Sequence, residues 1–501
     1  MEPLSELGQN LATGFGTAVA PFNLLCGLVG VTLGTAVGVL PGIGPALTIS
    51  MLLPLTFGME PVTAFIMFGG IYYGAMYGGS TTSILVKMPG EASSVVTTLD
   101  GFEMTCQGRA GAALATAAIG SFIAGTFATL MLMLTAPILV EVALVFGPAE
   151  YFALMVLALT ATTGLSGQSR AKGAFATLLG LALGTIGIDL QTGQARFTFG
   201  EQGLLGGINV VMVTVGLFAV GEVFWYAASR DVSARAKSPD QGRVRLTRDE
   251  WRRSFPAWAR GTVIGFFTGI LPGAGATVAS FLSYHAERRV SPEPHTFGHG
   301  AIEGVAGPEA ANNASAGGSL VPLLALGIPG SGTTAVLLAA FQMYGLQPGP
   351  LLFEQDAQLT WGLIASLYVS NVLLLVLNLP LIGLWVRLLR IPTPILFAAV
   401  LAFSTLGIYT MNNSIFDVWI VYALGVLAFF MRRHQFPIAP AVMAVVLGPL
   451  LEQELRRALA ISGGDPSVFV RRPIAATILV VACVVTTGPM MMRWIRSRSL
   501  S

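Results

Sequence analysis

The residues best suited to chemistry in this sequence are hydroxyl side chains beside Pro-Gly pairs within long apolar runs. They are Ser80, Thr81 and Thr82 before Pro89-Gly90, and Ser331, Thr333 and Thr334 after Pro329-Gly330. A Pro-Gly pair interrupts a helix, because proline lacks a backbone donor and glycine frees the chain. The next helix then begins with unsatisfied N–H groups and a partial positive charge, which can bind a carboxylate without Lys or Arg. Neighbouring hydroxyls can contact ligand oxygens or coordinate Na⁺.

The interruptions come in matching pairs, which indicates an internal duplication. Gly-Val-Leu-Pro-Gly-Ile-Gly at 38–44 corresponds to Gly-Ile-Leu-Pro-Gly-Ala-Gly at 269–275, and each is followed downstream by one of the Pro-Gly pairs above. One such interruption is also explained by a kink with close glycine packing. Interruptions at matching positions of two halves are typical of a transport site, so we predict a shared substrate site. Its candidate residues are Gly42, Gly44, Ser80, Thr81, Thr82, Pro89, Gly90, Gly273, Gly275, Asn312, Asn313, Pro329, Gly330, Ser331 and Thr333.

An acid with adjacent amides at the start of a long apolar run is the candidate for binding a coupling ion. A carboxylate in such a place is costly unless it is paired or used. The alternative interpretation is a loop and helix cap at the membrane surface. The candidate ion-binding residues are Glu309, Asn312 and Thr334. The three cysteines lie far apart without metal-ligand spacing, so we predict no metal site, and the apolar spans offer no catalytic pair.

The composition shows which elements must position these residues. The 501 residues are 54% hydrophobic and 10% charged, with a mean hydropathy of +0.73. Soluble proteins are about 25% charged, so the composition excludes a soluble enzyme and a disordered scaffold. A net charge of +2 gives no indication of nucleic-acid binding. We therefore predict an all-α, polytopic membrane protein of about 12 helices in two inverted repeats with broken or re-entrant helices.

Charged segments divide the chain and predict its orientation. Residues 230–260 hold nine Lys/Arg against four Asp/Glu, which predicts a cytoplasmic linker between a first half, 1–229, and a second half, 261–501. Inverted halves place the N-terminus outside or require an extra re-entrant piece. One segment disagrees with the charge rule, because 452–472 must be external and yet carries four arginines. Local acids could neutralise them, or a partner could cover them.

Several motifs resemble those of the large membrane subunit of the tripartite tricarboxylate transporters of bacteria, the TctA type. They are Gly-Val-Leu-Pro-Gly-Ile-Gly-Pro at 38–45, Tyr-Gly-Gly-Ser-Thr-Thr-Ser-Ile-Leu at 77–85, Pro-Gly-Glu at 89–91, Asp-Gly at 100–101, Gly-Arg-Ala-Gly at 108–111, Gly-Pro-Glu-Ala-Ala-Asn-Asn-Ala at 307–314 and Leu-Gly-Ile-Pro-Gly-Ser at 326–331. The resemblance implies a secondary carrier of the bacterial inner membrane. It also implies two partners, a small four-helix membrane subunit and a periplasmic solute-binding protein.

The function expected from this resemblance is the import of carboxylates, typically citrate or other di- and tricarboxylates, by symport with Na⁺ or H⁺. The expected protein is a multi-pass inner-membrane carrier in contact with lipid, is not an enzyme, needs no cofactor other than the coupling ion, and binds no nucleic acid. A channel and the membrane permease of an ATP-driven importer are the alternatives. Saturable flux that depends on the solute-binding protein distinguishes a carrier from a channel, and uptake without ATP excludes the permease.

Overall fold

The computed structural model describes residues 4–40, 43–87, 89–165, 169–189, 192–228, 244–388 and 393–498, and within them the chain is almost entirely helical. The helices of the first half are α1 (Leu4–Ala18), α2 (Pro21–Val39), α3 (Pro45–Leu52), α4 (Pro61–Val86), α5 (Thr97–Cys106), α6 (Ala110–Ala143), α7 (Pro148–Leu165), α8 (Arg170–Gly184), α9 (Val210–Thr214) and α10 (Gly221–Ala228). Those of the second half are α11 (Arg248–Ile270), α12 (Gly275–Val290), α13 (Glu303–Leu326), α14 (Gly332–Met343), α15 (Pro350–Gln355), α16 (Ala357–Asn378), α17 (Ile382–Leu388), α18 (Thr393–Asn412), α19 (Ile415–Arg433), α20 (Ala439–Ile461), α21 (Val468–Arg471) and α22 (Pro473–Arg498). The predicted all-α class is confirmed.

Little other regular structure occurs in the described residues. Strands β1 (Gly187–Ile188) and β2 (Ala195–Arg196) form one antiparallel hairpin. A π-helical turn joins α9 to α10, and four 3₁₀ turns lie at Pro54–Thr56, Ala92–Val95, Gln202–Leu204 and Pro294–Thr296. Helix α11 begins within the predicted linker, where Thr247 and Glu250 form a capping box. Residues 229–243 of that region lie outside the described residues.

Six of the described helical segments are long and apolar enough to cross a membrane. They are Pro21–Val39, Ala110–Ala143, Val210–Ala228, Ala357–Asn378, Pro394–Asn412 and Ile415–Arg433. Helices α4 and α13, of 26 and 24 residues, also reach the length of about 20 residues that a span requires, but they carry polar side chains in a buried interior. The chain therefore has the apolar helices of a polytopic membrane protein.

Glycine ladders build the centre of each half. On α2, Gly30, Gly34 and Gly38 face Met67, Ile71 and Ala75 of α4, and on α11, Gly261, Gly265 and Gly269 face Gly307, Ala311 and Ser315 of α13. Because the contacts advance in the same direction on both helices, the two helices of each pair run parallel. A Cβ atom at Gly34 would lie 2.4 Å from the carbonyl oxygen of Ile71, and one at Gly265 would lie 2.2 Å from that of Ala311. Only glycine allows the backbones to approach this closely.

Helices α4 and α13, which are corresponding helices of the repeat, contact each other directly, while α6, α16 and α20 supply further contacts between the halves. Near one end of the contact, the Tyr72 hydroxyl lies 3.1 Å from the Ser319 hydroxyl, and further along α4 the Ser80 hydroxyl donates to the Glu309 carboxylate. The residue numbers rise along α4 while they fall along α13, so the two helices run antiparallel. Corresponding helices of inverted repeats have this relation.

The four arginines that disagree with the charge rule are all neutralised within the chain. Their ion pairs are Arg456 with Asp189 at 3.2 Å and with Glu452 at 2.5 Å, Arg457 with Glu454 at 2.8 Å, Arg471 with Asp465 at 3.1 Å, and Arg472 with Glu150 at 2.9 Å. Arg196 of the β-hairpin also donates two hydrogen bonds of 3.0 Å to Glu452. Of the two explanations that the sequence leaves open, the structure supports local neutralisation.

These ion pairs make the free energy of unfolding depend on pH under acidic conditions. The hydrogen bonds from Arg196 lower the pKa of the Glu452 carboxyl below its usual value. The stability gained is present above the unfolded-state pKa of about 4.3 and is lost as the pH falls through the lower folded-state value. We expect Glu452→Gln to lower the melting temperature in detergent at neutral pH and to converge with the wild type in acid. Glu60→Gln, at an exposed carboxylate, serves as the control, and equal pH profiles for both variants would contradict this assignment.

Candidate functional site

Close glycine contacts surround the described interruptions. In the second half, the Gly273 amide donates to the Gly330 carbonyl oxygen at 2.9 Å, and Gly273 takes a φ of 79°, which favours glycine. In the first half, a Cβ atom at Gly90 would lie 2.0 Å from the Gly38 carbonyl oxygen. Gly42, which corresponds to Gly273, lies outside the described residues. The two interruptions of the second half therefore lie against one another, and the Pro89-Gly90 interruption of the first half lies against the end of α2.

The two long helices end in the same way, but the residues after them differ in charge. The C-cap residues, Lys87 after α4 and Gly327 after α13, are both in the left-handed conformation, with φ of 57° and 68°. After the break, Ser331 caps α14 in a capping box with Thr334, whereas Glu91 caps the 3₁₀ turn Ala92–Val95 in the same arrangement with Ser94. A hydroxyl thus stands at one break, and a carboxylate stands at the corresponding position of the other.

Glu309 lies in the second turn of α13 and is fully buried. Its two carboxylate oxygens accept hydrogen bonds from Ser80 of α4 and Thr97 of α5, which both belong to the first half. No ion pair of the described residues includes Glu309 or Glu91. Two other acids of this region have arginine partners, since Glu303 binds Arg253 at 2.7 Å and Glu287 binds Arg260 at 2.5 Å. Glu309 therefore depends on hydroxyls, which stabilise its charge less than an arginine would.

Each half reaches across to the break of the other. The Asn312 side-chain amide nitrogen of α13 donates to Glu91 of the first half at 3.4 Å, and the Tyr72 hydroxyl of α4 lies 3.1 Å from the Ser319 hydroxyl, whose side chain packs beside Gly330 of the second-half break. The carbonyl oxygen of the Asn312 side chain is buried and has no hydrogen-bond partner. The same is true of the Ser315 hydroxyl, which lies one turn further along the helix. A buried carbonyl without a partner costs about 1–3 kcal/mol, so this oxygen is ready to accept from a ligand.

A small cavity lies beside this cluster. Its volume is about 10 Å³, and its lining includes Ser80, Thr81, Ser121 and Asn378. A cavity of this size holds about one water molecule. Next to the cavity, the Asn313 side-chain amide donates to the Ser121 hydroxyl at 2.7 Å and to the Glu309 backbone oxygen at 3.1 Å. A carboxylate with several carbon atoms does not fit here unless the surrounding helices separate.

The remaining predicted residues have more local positions. Thr82 donates to the Gly79 backbone oxygen of its own helix at 3.3 Å, as hydroxyls in helices often do. Thr334 exchanges hydrogen bonds with Ser331, and no hydrogen bond of the described residues joins it to Glu309. The others lie at the helix ends around the breaks. They are Gly44 as the N-cap residue of α3, Gly275 at the start of α12, Pro89 and Pro329 within the breaks, and Thr333 in the first turn of α14.

Three residues of the cluster are absent from the sequence-based candidates. Glu91 follows the Pro-Gly pair directly, and its position opposite Ser331 in an alignment of the two halves is the signal that could have identified it. Thr97 and Tyr72 carry no such signal. Thr97 reaches Glu309 from the helix after the break, and Tyr72 is one of several aromatic residues in an apolar run. Only the packing of α4 and α5 against α13 brings them to the site.

An aspartate clamps the two halves together beside this cluster. Asp100 of α5 accepts three backbone hydrogen bonds of 2.8–2.9 Å, from Gly298, Gly300 and Ala301 of the second half. Its other oxygen accepts from the Tyr284 hydroxyl at 2.9 Å. Asp100 is completely buried. The Asp-Gly pair at 100–101 is therefore a structural contact between the halves within a helix.

Comparison with known proteins agrees with this architecture. The sequence profile described as "Tripartite tricarboxylate transporter TctA family" matches residues 24–443. The chain is 51% identical over 487 residues to an "Uncharacterized 52.8 kDa protein in TAR-I ttuC' 3'region" of Agrobacterium vitis, covering 96% of both chains. It is also 50% identical over 215 residues to an "Uncharacterized protein in TAR-II ttuC' 3'region" of the same organism, covering 43% of this chain and 89% of that relative. No solved structure matches significantly.

The family match and the long relative each extend over most of the chain, including both halves of the repeat and all four interruptions. The helices, which include six apolar enough to cross a membrane, are those expected of a multi-pass transporter subunit. The chain belongs to the tripartite tricarboxylate transporter TctA family.

Proposed function

We propose that this protein is the large membrane subunit of a transporter that imports carboxylates by ion symport. The substrates are citrate or related di- and tricarboxylates. The protein works in the bacterial inner membrane with a small four-helix membrane subunit and a periplasmic solute-binding protein that delivers the substrate. It performs no chemical reaction on its cargo. The coupling ion, Na⁺ or H⁺, offsets the negative charge that the substrate brings into an apolar interior.

The observation that supports this proposal most strongly is the convergence of the two inverted halves on one buried polar cluster. Ser80 and Thr97 of the first half bind Glu309 of the second, and Asn312 of the second half binds Glu91 of the first. Polar groups in the interior of an apolar helical protein are expensive, and in carriers they mark the substrate and ion path. A purely structural kink would require no such contacts between halves.

We assign the carboxylate to the break of the second half. Ser331 and Thr333 supply hydroxyls there, and the first N–H groups of α14 carry the positive end of the helix dipole. Gly273 and Gly330 keep the backbone of the two breaks in contact, so a ligand lies close to both. Glu309 and Asn312 serve the coupling ion, with Thr334 acting through the cap that positions Ser331.

The experiment that tests this proposal is uptake of radiolabelled citrate by vesicles that contain both membrane subunits, with the solute-binding protein added outside. The proposal predicts saturable uptake that requires an ion gradient and the binding protein but not ATP. Uptake that needs ATP would indicate the permease of an ATP-driven importer, and a non-saturable current would indicate a channel. If citrate is not transported, ligands that co-purify with the binding protein supply the next substrates for the same assay.

The assigned carboxylate site makes a further prediction. Ser331→Ala combined with Thr333→Val removes two hydroxyls, and each hydrogen bond to a charged group contributes about 1.5–3 kcal/mol. We therefore expect the half-saturating citrate concentration to rise at least about tenfold. Thr477→Val is the matched control, because the Thr477 hydroxyl is exposed and bonds only to its own helix at Pro473. An unchanged half-saturating concentration in the double variant would move the substrate away from this break.

A further inference from the structure

The two breaks differ in charge, and this difference suggests that they bind different partners. At the capping position, the break of the second half carries the Ser331 hydroxyl and that of the first half carries the Glu91 carboxylate. The Glu91 carboxylate accepts from the Ser93 hydroxyl at the start of the 3₁₀ turn. The position in the first half that corresponds to Ser331 is thus occupied by a carboxylate of the protein. A second anion is repelled there, whereas a cation is attracted.

The side chains around Glu91 and Glu309 supply several oxygen atoms as possible ligands for a cation. Glu309 is bound by the Ser80 and Thr97 hydroxyls, and no arginine or lysine pairs with either acid in the described part of the chain. Carboxylate, hydroxyl and amide oxygens are the donors that hard cations prefer. Glu91 is half-buried and can be partly solvated, whereas Glu309 is completely buried.

A second observation points to a bound cation independently of the acids. The side-chain carbonyl oxygen of Asn312 is buried without any partner, while the amide nitrogen of the same side chain donates to Glu91. The amide therefore lies within the cluster, and its oxygen has no hydrogen-bond partner there. A carbonyl oxygen carries no proton, so only a donor or a cation can satisfy it.

We propose that Glu91, Glu309 and the Asn312 carbonyl oxygen bind one Na⁺, with the Ser80 and Thr97 hydroxyls completing the site. Several converging oxygen atoms suit a hard cation such as sodium. The Ser80 and Thr97 hydroxyl oxygens keep lone pairs available to a cation when they donate to Glu309.

This inference rests on the proposed function, because it names the coupling ion of the same carrier. The site would take ligands from both halves, since Glu91, Ser80 and Thr97 belong to the first and Glu309 and Asn312 to the second. Sodium binding would therefore stabilise the contact between the halves at Glu309 and Glu91. A ligand that binds one arrangement of the halves more tightly shifts the population towards it.

The test is the binding of radioactive sodium to the purified protein in detergent, without substrate, at neutral pH and constant ionic strength with choline as the replacement cation. The wild type is expected to bind sodium saturably, with one ion per chain, and its melting temperature is expected to rise with sodium but not with choline. Glu309→Gln and Asn312→Ala should each weaken binding at least about tenfold, which corresponds to about 1.4 kcal/mol. Glu303→Gln is the matched control, because this acid of the same helix is paired with Arg253.

Absence of saturable sodium binding to the wild type would overturn the inference, and so would unchanged binding by both variants. A melting temperature that responds to pH through Glu309 but not to sodium would overturn it in favour of a proton. If Glu309→Gln does not fold, Asn312→Ala still decides, because it changes no carboxylate. Failure of the proposed function is a separate result. Citrate uptake without sodium binding would support the carrier function and contradict the sodium site. Sodium binding without carboxylate uptake would support the sodium site and contradict the proposed function.

Discussion

Glu309→Gln is expected to lower carboxylate accumulation driven by an ion gradient on the order of 100-fold, which is at the upper end of typical coupling free energies between two sites. Glutamine keeps the size of the side chain and can still bond to Ser80 and Thr97, but it removes the negative charge that attracts the ion. The measurement is initial uptake of labelled citrate by vesicles with both membrane subunits and the solute-binding protein. Exchange of labelled for unlabelled citrate, measured without a gradient, separates the loss of coupling from the loss of substrate binding.

Glu303→Gln provides the comparison for this variant, since it removes a charge from the same helix where Arg253 balances that charge. We expect its uptake to stay close to that of the wild type. If Glu309→Gln transported as fast as Glu303→Gln under the same gradient, the buried carboxylate would have no part in coupling. Its position between Ser80 and Thr97 would then be a structural contact between the halves.

Gly34→Ala is expected to destabilise the protein by about 1–3 kcal/mol or to prevent folding, because a methyl group would overpack the ladder between α2 and α4. Its Cβ atom would lie 2.4 Å from the Ile71 carbonyl oxygen, which is backbone and cannot rotate away. Gly27→Ala on the same helix is the matched control, since its Cβ atom would meet only the Ile66 side chain at 3.4 Å. Thermal unfolding in detergent measures both variants. Equal melting temperatures would show that the two helices can separate without cost.

The sequence allows much of this architecture to be predicted, because the strongest signals are local. Apolar runs give the helices, and the Pro-Gly pairs give the breaks, since both depend on residue types that neighbour each other along the chain. The start of α11 is also readable from sequence, because Thr247 and Glu250 have the spacing of a capping box. The β-hairpin at 187–196 is not predicted, because its two-residue strands are too short to produce an alternating pattern.

The site is only partly predictable, because its members come from separate helices. Glu309 and Asn312 are conspicuous as polar residues in an apolar region, and Ser80 is conspicuous beside a break. Their mutual contacts depend on the antiparallel crossing of α4 and α13, which no single segment encodes. Thr97 lies in a mixed-charge region, and only the packing of α5 beside Glu309 brings it to the site. The assignment of substrate to one break and ion to the other also requires the capping positions of the two halves to be compared.

The glycine ladders indicate which contacts between helices can change during transport. Within each half, the backbones of two parallel helices touch, so any tilt between them creates either a clash or a void. Between the halves, α4 and α13 meet through side chains whose hydrogen bonds can re-form with new partners after a small displacement. Opening a path for the cargo would therefore displace side chains at this crossing, while each ladder moves as a rigid unit and the close backbone contacts of Gly14 with Trp361 and of Gly180 with Ala441 hold other helices of the two halves together.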